Sequence, residues 1–388
     1  MISFDNTEIA FKSKSNKSLK RAYFLFKIIG NPTMVKVGKV ATNAALNLRL
    51  PIQGLIKKTI FAQFCGGEAI ADCKNTIDLL GQYGVGTILD YSIEGKTSEE
   101  DFDATVSEII STIETASKSS SIPFAVFKVT GISRFSILDK ANERIDNLSE
   151  NEKSEYETIV TRIDKICKAA FENQIPVFID AEETWIQDTI DRITHQMMQK
   201  YNKERAIVFN TVQLYRHDRL SFLTHAIDEA RNNGYHYGVK LVRGAYMEKE
   251  RARAKEKGYP SPIQPDKVAS DNDFDKALDL VVTNIDIVSV CAGSHNEKSS
   301  LLLTELMKKN NIDKSDKRVY FAQLLGMSDH ISYNLSHAGY NVAKYVPYGP
   351  VKEVMPYLLR RADENTSVAG QTSRELSLIM KEKKRRGI

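Results

Sequence analysis

From about Gly84 onward, short apolar runs alternate with longer stretches whose apolar residues recur every three or four positions. The runs occupy residues 87–91, 124–129, 177–179, 206–212, 238–242, 285–290, 319–322 and 342–346. They are short and rich in β-branched and aromatic residues, as buried strands are. Between them lie helical stripes. Phe102, Val106, Ile109, Ile110 and Ile113 form one, and Tyr156, Ile159, Val160, Ile163, Ile166, Cys167 and Ala170 form another. The first opens on Thr97-Ser98-Glu99-Glu100, a spacing that lets Thr97 and Glu100 cap the helix start. Eight strands, each followed by a helix, predict an α/β fold of the (β/α)8 (TIM-type) barrel class, distorted in detail, rather than a doubly wound sheet. Residues 1–80 read as a helical N-terminal extension, since no strand alternation develops there, and 81–388 as the barrel with its C-terminal helix.

Composition narrows the picture without redirecting it. Apolar residues make up 42% of the 388 and charged residues 27%, which is ordinary for a globular chain. A net charge of +4 is too small to predict nucleic-acid binding. Much of the excess sits at the ends, in Lys12, Lys14, Lys17, Lys20 and Arg21 and in residues 381–386. The tail is expected to be solvated and frayed, with an anionic membrane surface as the functional alternative. Cys65, Cys73, Cys167 and Cys291 show no C-x-x-C spacing, so they are expected in the core of a protein from a reducing compartment. The start lacks the apolar segment of a secretory signal, and residues 23–29 are too short to span a bilayer. A cytoplasmic location is expected, peripheral on the inner membrane if the basic ends dock there.

In an α/β barrel the reactive groups gather at the carboxyl ends of the strands. Here those ends supply Asp90, Tyr91 and Glu94; Lys128; Asp180, Glu182 and Glu183; Gln213; Arg243 and Tyr246; Ser294, His295 and Asn296; Gln323 and Met327; and Lys344 and Tyr345. Strand ends meet water and are polar in any case, so each residue alone decides little. The histidines show neither H-E-x-x-H nor H-x-H, and no metal site is predicted. Gly84-Val85-Gly86 precedes a strand and lacks the third glycine of a dinucleotide fingerprint, so it reads as a turn. Neither a phosphate-binding Walker loop nor a G-x-S-x-G elbow occurs.

The segment after the eighth run is more informative. Pro350 can open a helix on which Tyr357, Arg360, Arg361 and Glu364 share one face. Two guanidinium groups one turn from a tyrosine make a fork for a carboxylate. A solvated face with i,i+4 ion pairs is the competing account.

Together with Leu89-Asp90-Tyr91-Ser92-Ile93-Glu94-Gly95, Phe127-Lys128-Val129-Thr130-Gly131, Ile179-Asp180-Ala181-Glu182, Lys240-Leu241-Val242-Arg243-Gly244-Ala245-Tyr246, Lys344-Tyr345-Val346-Pro347-Tyr348-Gly349-Pro350 and Tyr357-Leu358-Leu359-Arg360-Arg361, the chain resembles the proline dehydrogenase family over residues 89–368. It is similar to the monofunctional type, as its length leaves no room for a fused aldehyde dehydrogenase. The resemblance implies a barrel that holds FAD non-covalently and oxidises L-proline to Δ1-pyrroline-5-carboxylate, passing electrons to a membrane quinone. By the same resemblance Lys128, Arg360 and Arg361 clamp the substrate carboxylate, while Asp180, Tyr246, Leu324, Tyr345 and Tyr357 shape the pocket. Gln213, Lys240, Arg243, Gly244, Ala245, His295, Asn296 and Glu364 contact the cofactor, and Lys267, Ser270, Asp271 and Ser294 meet its phosphate and adenine parts. Many bacterial members carry Arg where Lys240 stands, and this chain is closer to the eukaryotic form. Branches that favour 4-hydroxyproline have a smaller residue in place of Tyr345, so the tyrosine points to proline. Two rivals remain outside this reading: a Schiff-base aldolase or lyase built on Lys128, and a membrane-docked scaffold using the basic ends.

Overall fold

The computed structural model describes residues 2–31, 33–38, 53–93, 97–367 and 371–388, with side chains omitted at 362–367 and 371–372. Eight parallel strands close into a barrel in the order β1 to β8. They are β1 Val85–Tyr91, β2 Phe124–Lys128, β3 Val177–Asp180, β4 Val208–Gln213, β5 Tyr237–Val242, β6 Val288–Gly293, β7 Val319–Leu324 and β8 Val342–Tyr348. Every expected strand is present, each shifted by at most a few residues. The helices used below are α1 Asn16–Ile29, α2 Glu99–Ser117, α3 Glu150–Glu172, α4 Thr184–Tyr201, α5 Arg219–Asn232, α6 Met247–Lys257, α7 Lys267–Thr283, α8 Glu297–Lys309, α9 Asp329–His337, α10 Val351–Ser367 and α11 Gln371–Arg386. Among the described residues no helix is long and apolar enough to cross a membrane.

By contact density the chain forms two compact units, Gly95–Ala322 and the pair of segments Met1–Glu94 with Gln323–Ile388. In the first unit the pleat sets the internal layers, because residues two apart on a strand share a face. Phe124, Phe178 and Phe209 lie near the strand starts, where Phe124 stacks on Phe178 at 4.4 Å and meets Phe209 edge-on at 5.6 Å. Tyr320 closes this aromatic floor at 4.8 Å from Phe124. Gly238 is required beside it: a Cβ there would come within 2.6 Å of the Val208 carbonyl and 2.7 Å of the Phe209 ring. Two residues further along, β3 and β5 present Asp180 and Lys240, and Lys128 ends β2 four residues after Phe124. Alternation on the strands thus places a polar layer directly above an aromatic one.

Stripes of apolar residues bury the surrounding helices. Val106, Ile109 and Ile113 of α2 and Ile159, Ile163 and Ile166 of α3 are buried as the sequence predicts. The cap of α2 falls one residue later than expected: Ser98, not Thr97, accepts a hydrogen bond from the Asp101 amide. The reciprocal capping box appears instead on α3, between Ser149 and Glu152. All four cysteines are buried and free.

In the other unit, β1 pairs with β8 from Val85↔Val342 to Tyr91↔Tyr348. The tail corrects an expectation. Residues 381–386 are not frayed but form the end of α11, whose Leu378 and Ile379 pack with Phe11, Leu19 and Phe26. Arg386 donates to the carbonyls of Phe11 and Lys14 and to Glu382, which is fully buried. A local reading cannot see this, because the apolar partners lie more than 350 residues earlier in the chain.

Candidate active site

The polar layer of the first unit is organised by register. On β2 and β3, Lys128 pairs with Asp180 across the ladder, and their side chains approach to 3.6 Å. Lys240, two strands away, forms a second ion pair with the same carboxylate. Asp180 and Lys240 are buried and Lys128 is half-buried, so these ion pairs lie in a low-dielectric setting. Lys240 also lies 5.1 Å above the Phe178 ring, where the π face offsets part of the cost of burying it. Ammonium groups held in place in this way are suited to meet an anionic group, and a carboxylate is the simplest.

Around the layer stand the other strand ends. Gln213 closes β4, buried, with its Nε2 donating to the Glu182 carbonyl at 3.1 Å. Its Oε1 is buried and meets no donor among the described residues. Arg243 follows β5 and donates to Asp271 at 2.6 Å, Ser294 at 2.8 Å and Ser299 at 3.0 Å, while stacking on Phe274 at 4.3 Å. Burial alone would raise the Asp271 pKa, but Lys267 and Arg243 hold it below its usual range. Asn296 caps α8 through the amides of Lys298 and Ser299, and Asp266 caps α7 through Ala269. Ser270 donates to the Asp266 carbonyl at 3.2 Å, and Lys267 is exposed at the start of α7. Gly244 and Ala245 are exposed, and His295 is half-buried next to Ser294. Gly244 has φ +134° and lies so close to Tyr215 that a Cβ would stand 2.4 Å from the ring. Tyr246, half-buried, precedes α6.

The other unit holds the remaining candidates. Leu324 ends β7 and Tyr345 lies within β8, both half-buried. Tyr357 and Arg361 are buried on α10, with the guanidinium 4.9 Å above the tyrosine ring, as i,i+4 spacing predicts. Arg360 is half-buried beside them. The side chain of Glu364 and the whole of Glu94 lie outside the described residues.

Two sets of contacts were not foreseen by sequence. Glu182 is buried among the strand ends of the first unit and accepts from Thr130; both belong to segments that carry the resemblance, but nothing local marks their pairing. In the second unit Asp329 bridges Lys14 at 3.0 Å and Lys344 at 2.9 Å, and neither partner is near it in sequence.

A family model described as "Proline dehydrogenase" matches residues 73–374. A hydroxyproline dehydrogenase from Xenopus laevis is 34% identical over 412 aligned residues, covering 97% of this chain and 88% of that one. The protein named "Proline dehydrogenase 1, mitochondrial" of Caenorhabditis elegans is 29% identical over 544 residues, covering 99% of this chain and 88% of its own. Among solved structures, proline utilization A from Bdellovibrio bacteriovorus, inactivated by N-propargylglycine, superposes with a TM-score of 0.73 at 19% identity. That superposition covers 93% of this chain but 38% of the larger protein, and it shows a shared fold.

Proposed function

The chain belongs to the proline dehydrogenase family, and from that premise we propose that it oxidises L-proline to Δ1-pyrroline-5-carboxylate with FAD as cofactor and a membrane quinone as acceptor. The carrying observation is the layer of Lys128, Asp180 and Lys240, a preorganised set of charged groups above an apolar floor.

The residues present fit a flavin. The isoalloxazine has an imide N–H between two carbonyls, and Gln213 offers a buried acceptor that no described residue satisfies. Lys240 supplies a cation from the neighbouring strand. Arg243, Asp271, Ser294 and Asn296 form a linked polar set at the starts of α7 and α8, where helix N-termini favour phosphate. Gly244, Ala245, Lys267, Ser270 and His295 belong to the same stretch and are assigned to the cofactor with it, as is Glu364 of α10. When bound, the flavin supplies the two-electron oxidation by accepting a hydride from the substrate.

The protein's own side chains do the rest. Arg360 and Arg361 bind the substrate carboxylate, and Lys128 is assigned the same task. Asp180 holds Lys128 and Lys240 apart and keeps their ammonium groups in place. Tyr345, Tyr357, Tyr246 and Leu324 provide apolar surface that orients the ring and keeps water from the reacting carbon. The relatives' names divide between proline and hydroxyproline, and Tyr345 favours proline because its bulk leaves less room for a ring hydroxyl. The helical segment 1–80 and the barrel 81–388 are taken as the working domain division. A bacterial cytoplasm with peripheral contact to the inner membrane is the assigned setting; the organelle of the worm relative is the alternative.

The test is an absorption spectrum of the purified protein, followed by proline under anaerobic conditions. A yellow flavin band that bleaches with proline supports the reading. Colourless protein that is trapped on Lys128 by borohydride would replace it with the Schiff-base alternative.

A further inference from the structure

Glu182 follows β3 by two residues and is 3% exposed. Its carboxylate accepts from the Thr130 amide at 3.0 Å and from the Thr130 hydroxyl. Thr130 lies in the short turn Val129–Gly131, the residue after next from Lys128. The backbone of Glu182 is tied down as well. Its amide donates to Gln187 of α4 at 2.7 Å, and its carbonyl accepts from Gln213 of β4. One buried residue therefore joins the exits of β2, β3 and β4, and the turn it grips is the one that carries Lys128. A structural carboxyl buried for packing would be expected to face a cation in an ion pair; this one is held by neutral donors, with Lys128 acting on it only through space.

We propose that Glu182 is a positioning residue that fixes the Lys128 turn and, through its own charge, sets how strongly Lys128 holds the substrate carboxylate. The inference rests on the substrate reading above. Burial pushes the Glu182 carboxyl up to about 7, against the pull of the Thr130 donors, while Glu183 raises it and Lys128 lowers it. Behind Gln187 the charges are already matched, since Asp191 is paired with Arg219 at 2.6 Å. Among the described residues Asp180 is a further carboxylate near Lys128, and it pairs with Lys128 and Lys240. Below neutrality Glu182 is uncharged and adds nothing to the opposing charge that Lys128 already meets in Asp180. Above it a second carboxylate faces the same ammonium, so the grip on the anion weakens.

The test measures binding of cyclopentanecarboxylate to the holoenzyme by calorimetry between pH 6 and 9. This ring acid has no amine, and its carboxyl stays ionised throughout, so any pH dependence belongs to the protein. Binding to the natural protein should weaken about two- to fivefold as pH rises through 7, the effect of one added charge at partly screened range. Glu182→Gln keeps an oxygen that accepts from the Thr130 amide and turns the second contact into one donated by its NH2 to the Thr130 hydroxyl, and it should give a flat profile. Thr130→Val removes one donor to the carboxylate and should move the transition to higher pH, which tests the idea separately should Glu182→Gln unfold. A flat profile in the natural protein, or an unchanged transition in Glu182→Gln, overturns the proposal while bleaching by proline leaves the substrate reading intact. No binding at any pH, with no bleaching, overturns both.

Discussion

At the scale of single residues, Arg361 and Tyr345 make the sharpest claims. Arg361 is buried and braced by Tyr357, so its position is fixed before any ligand arrives. Arg361→Met keeps much of the volume and removes the charge-assisted hydrogen bonds, each about 1.5–3 kcal/mol, so the KM for proline should rise at least tenfold. The flavin absorbance should be unaffected, and its loss would show that Arg361 serves the cofactor. Tyr345→Ser should raise turnover of 4-hydroxyproline relative to proline, measured with a dye acceptor; an unchanged ratio would remove Tyr345 from substrate choice. These residues were proposed because six motif segments occur in order along the chain. Glu182 was visible as a strand-end carboxyl but not as a keystone, because its partner Thr130 is 52 residues away and only folding joins them.

At the scale of elements, strand positions were legible because each is a short apolar run between polar stretches, and the helices because their buried stripes are long. Boundaries were less so. The α2 cap moved from Thr97 to Ser98, since adjacent Thr and Ser offer the same hydroxyl and only backbone geometry chooses between them. The turn after β5 depends on conformations that sequence hints at only by a glycine. At Gly244, with φ +134° and the Tyr215 ring against its Cα, alanine adds both backbone strain and overlap. Gly244→Ala should cost roughly 2–4 kcal/mol and displace Arg243, its neighbour in sequence. Weakened FAD retention on desalting, together with a lower Tm, is the expected outcome. Full retention of FAD would detach this turn from the cofactor.

At the scale of the whole chain, residues from opposite ends of the sequence are joined by a buried ion network. Asp329 takes Lys14 from the N-terminal segment and Lys344 from β8. Burial would raise the Asp329 pKa, yet the two ammonium groups pull it well below its usual value, so the carboxylate is charged when folded. A depressed folded pKa contributes stability above the ordinary carboxyl value near 4, and that stability is lost as pH falls through and below it. Thermal unfolding should show the Tm dropping steeply below about pH 4. Asp329→Asn leaves two cations without their anion and should destabilise by about 3–5 kcal/mol near neutrality. A variant with the Tm of the natural protein would show that the lysines find other partners. This network, like the docking of α11 on Phe11 and Leu19, was invisible in the sequence because burial brings together charges and apolar groups that no window contains.

The pleat of β2 acts as a ruler. From Phe124 on the aromatic floor to Lys128 at the strand end is four residues, about 13 Å of extended chain, and this length sets how far above the floor the ammonium is anchored. Such a spacing cannot be adjusted gradually. Gaining or losing one residue would turn the ammonium toward the helical layer, and only a change of two, about 7 Å, restores its direction. Changes around this layer are therefore expected to proceed through side-chain volume and not through strand length.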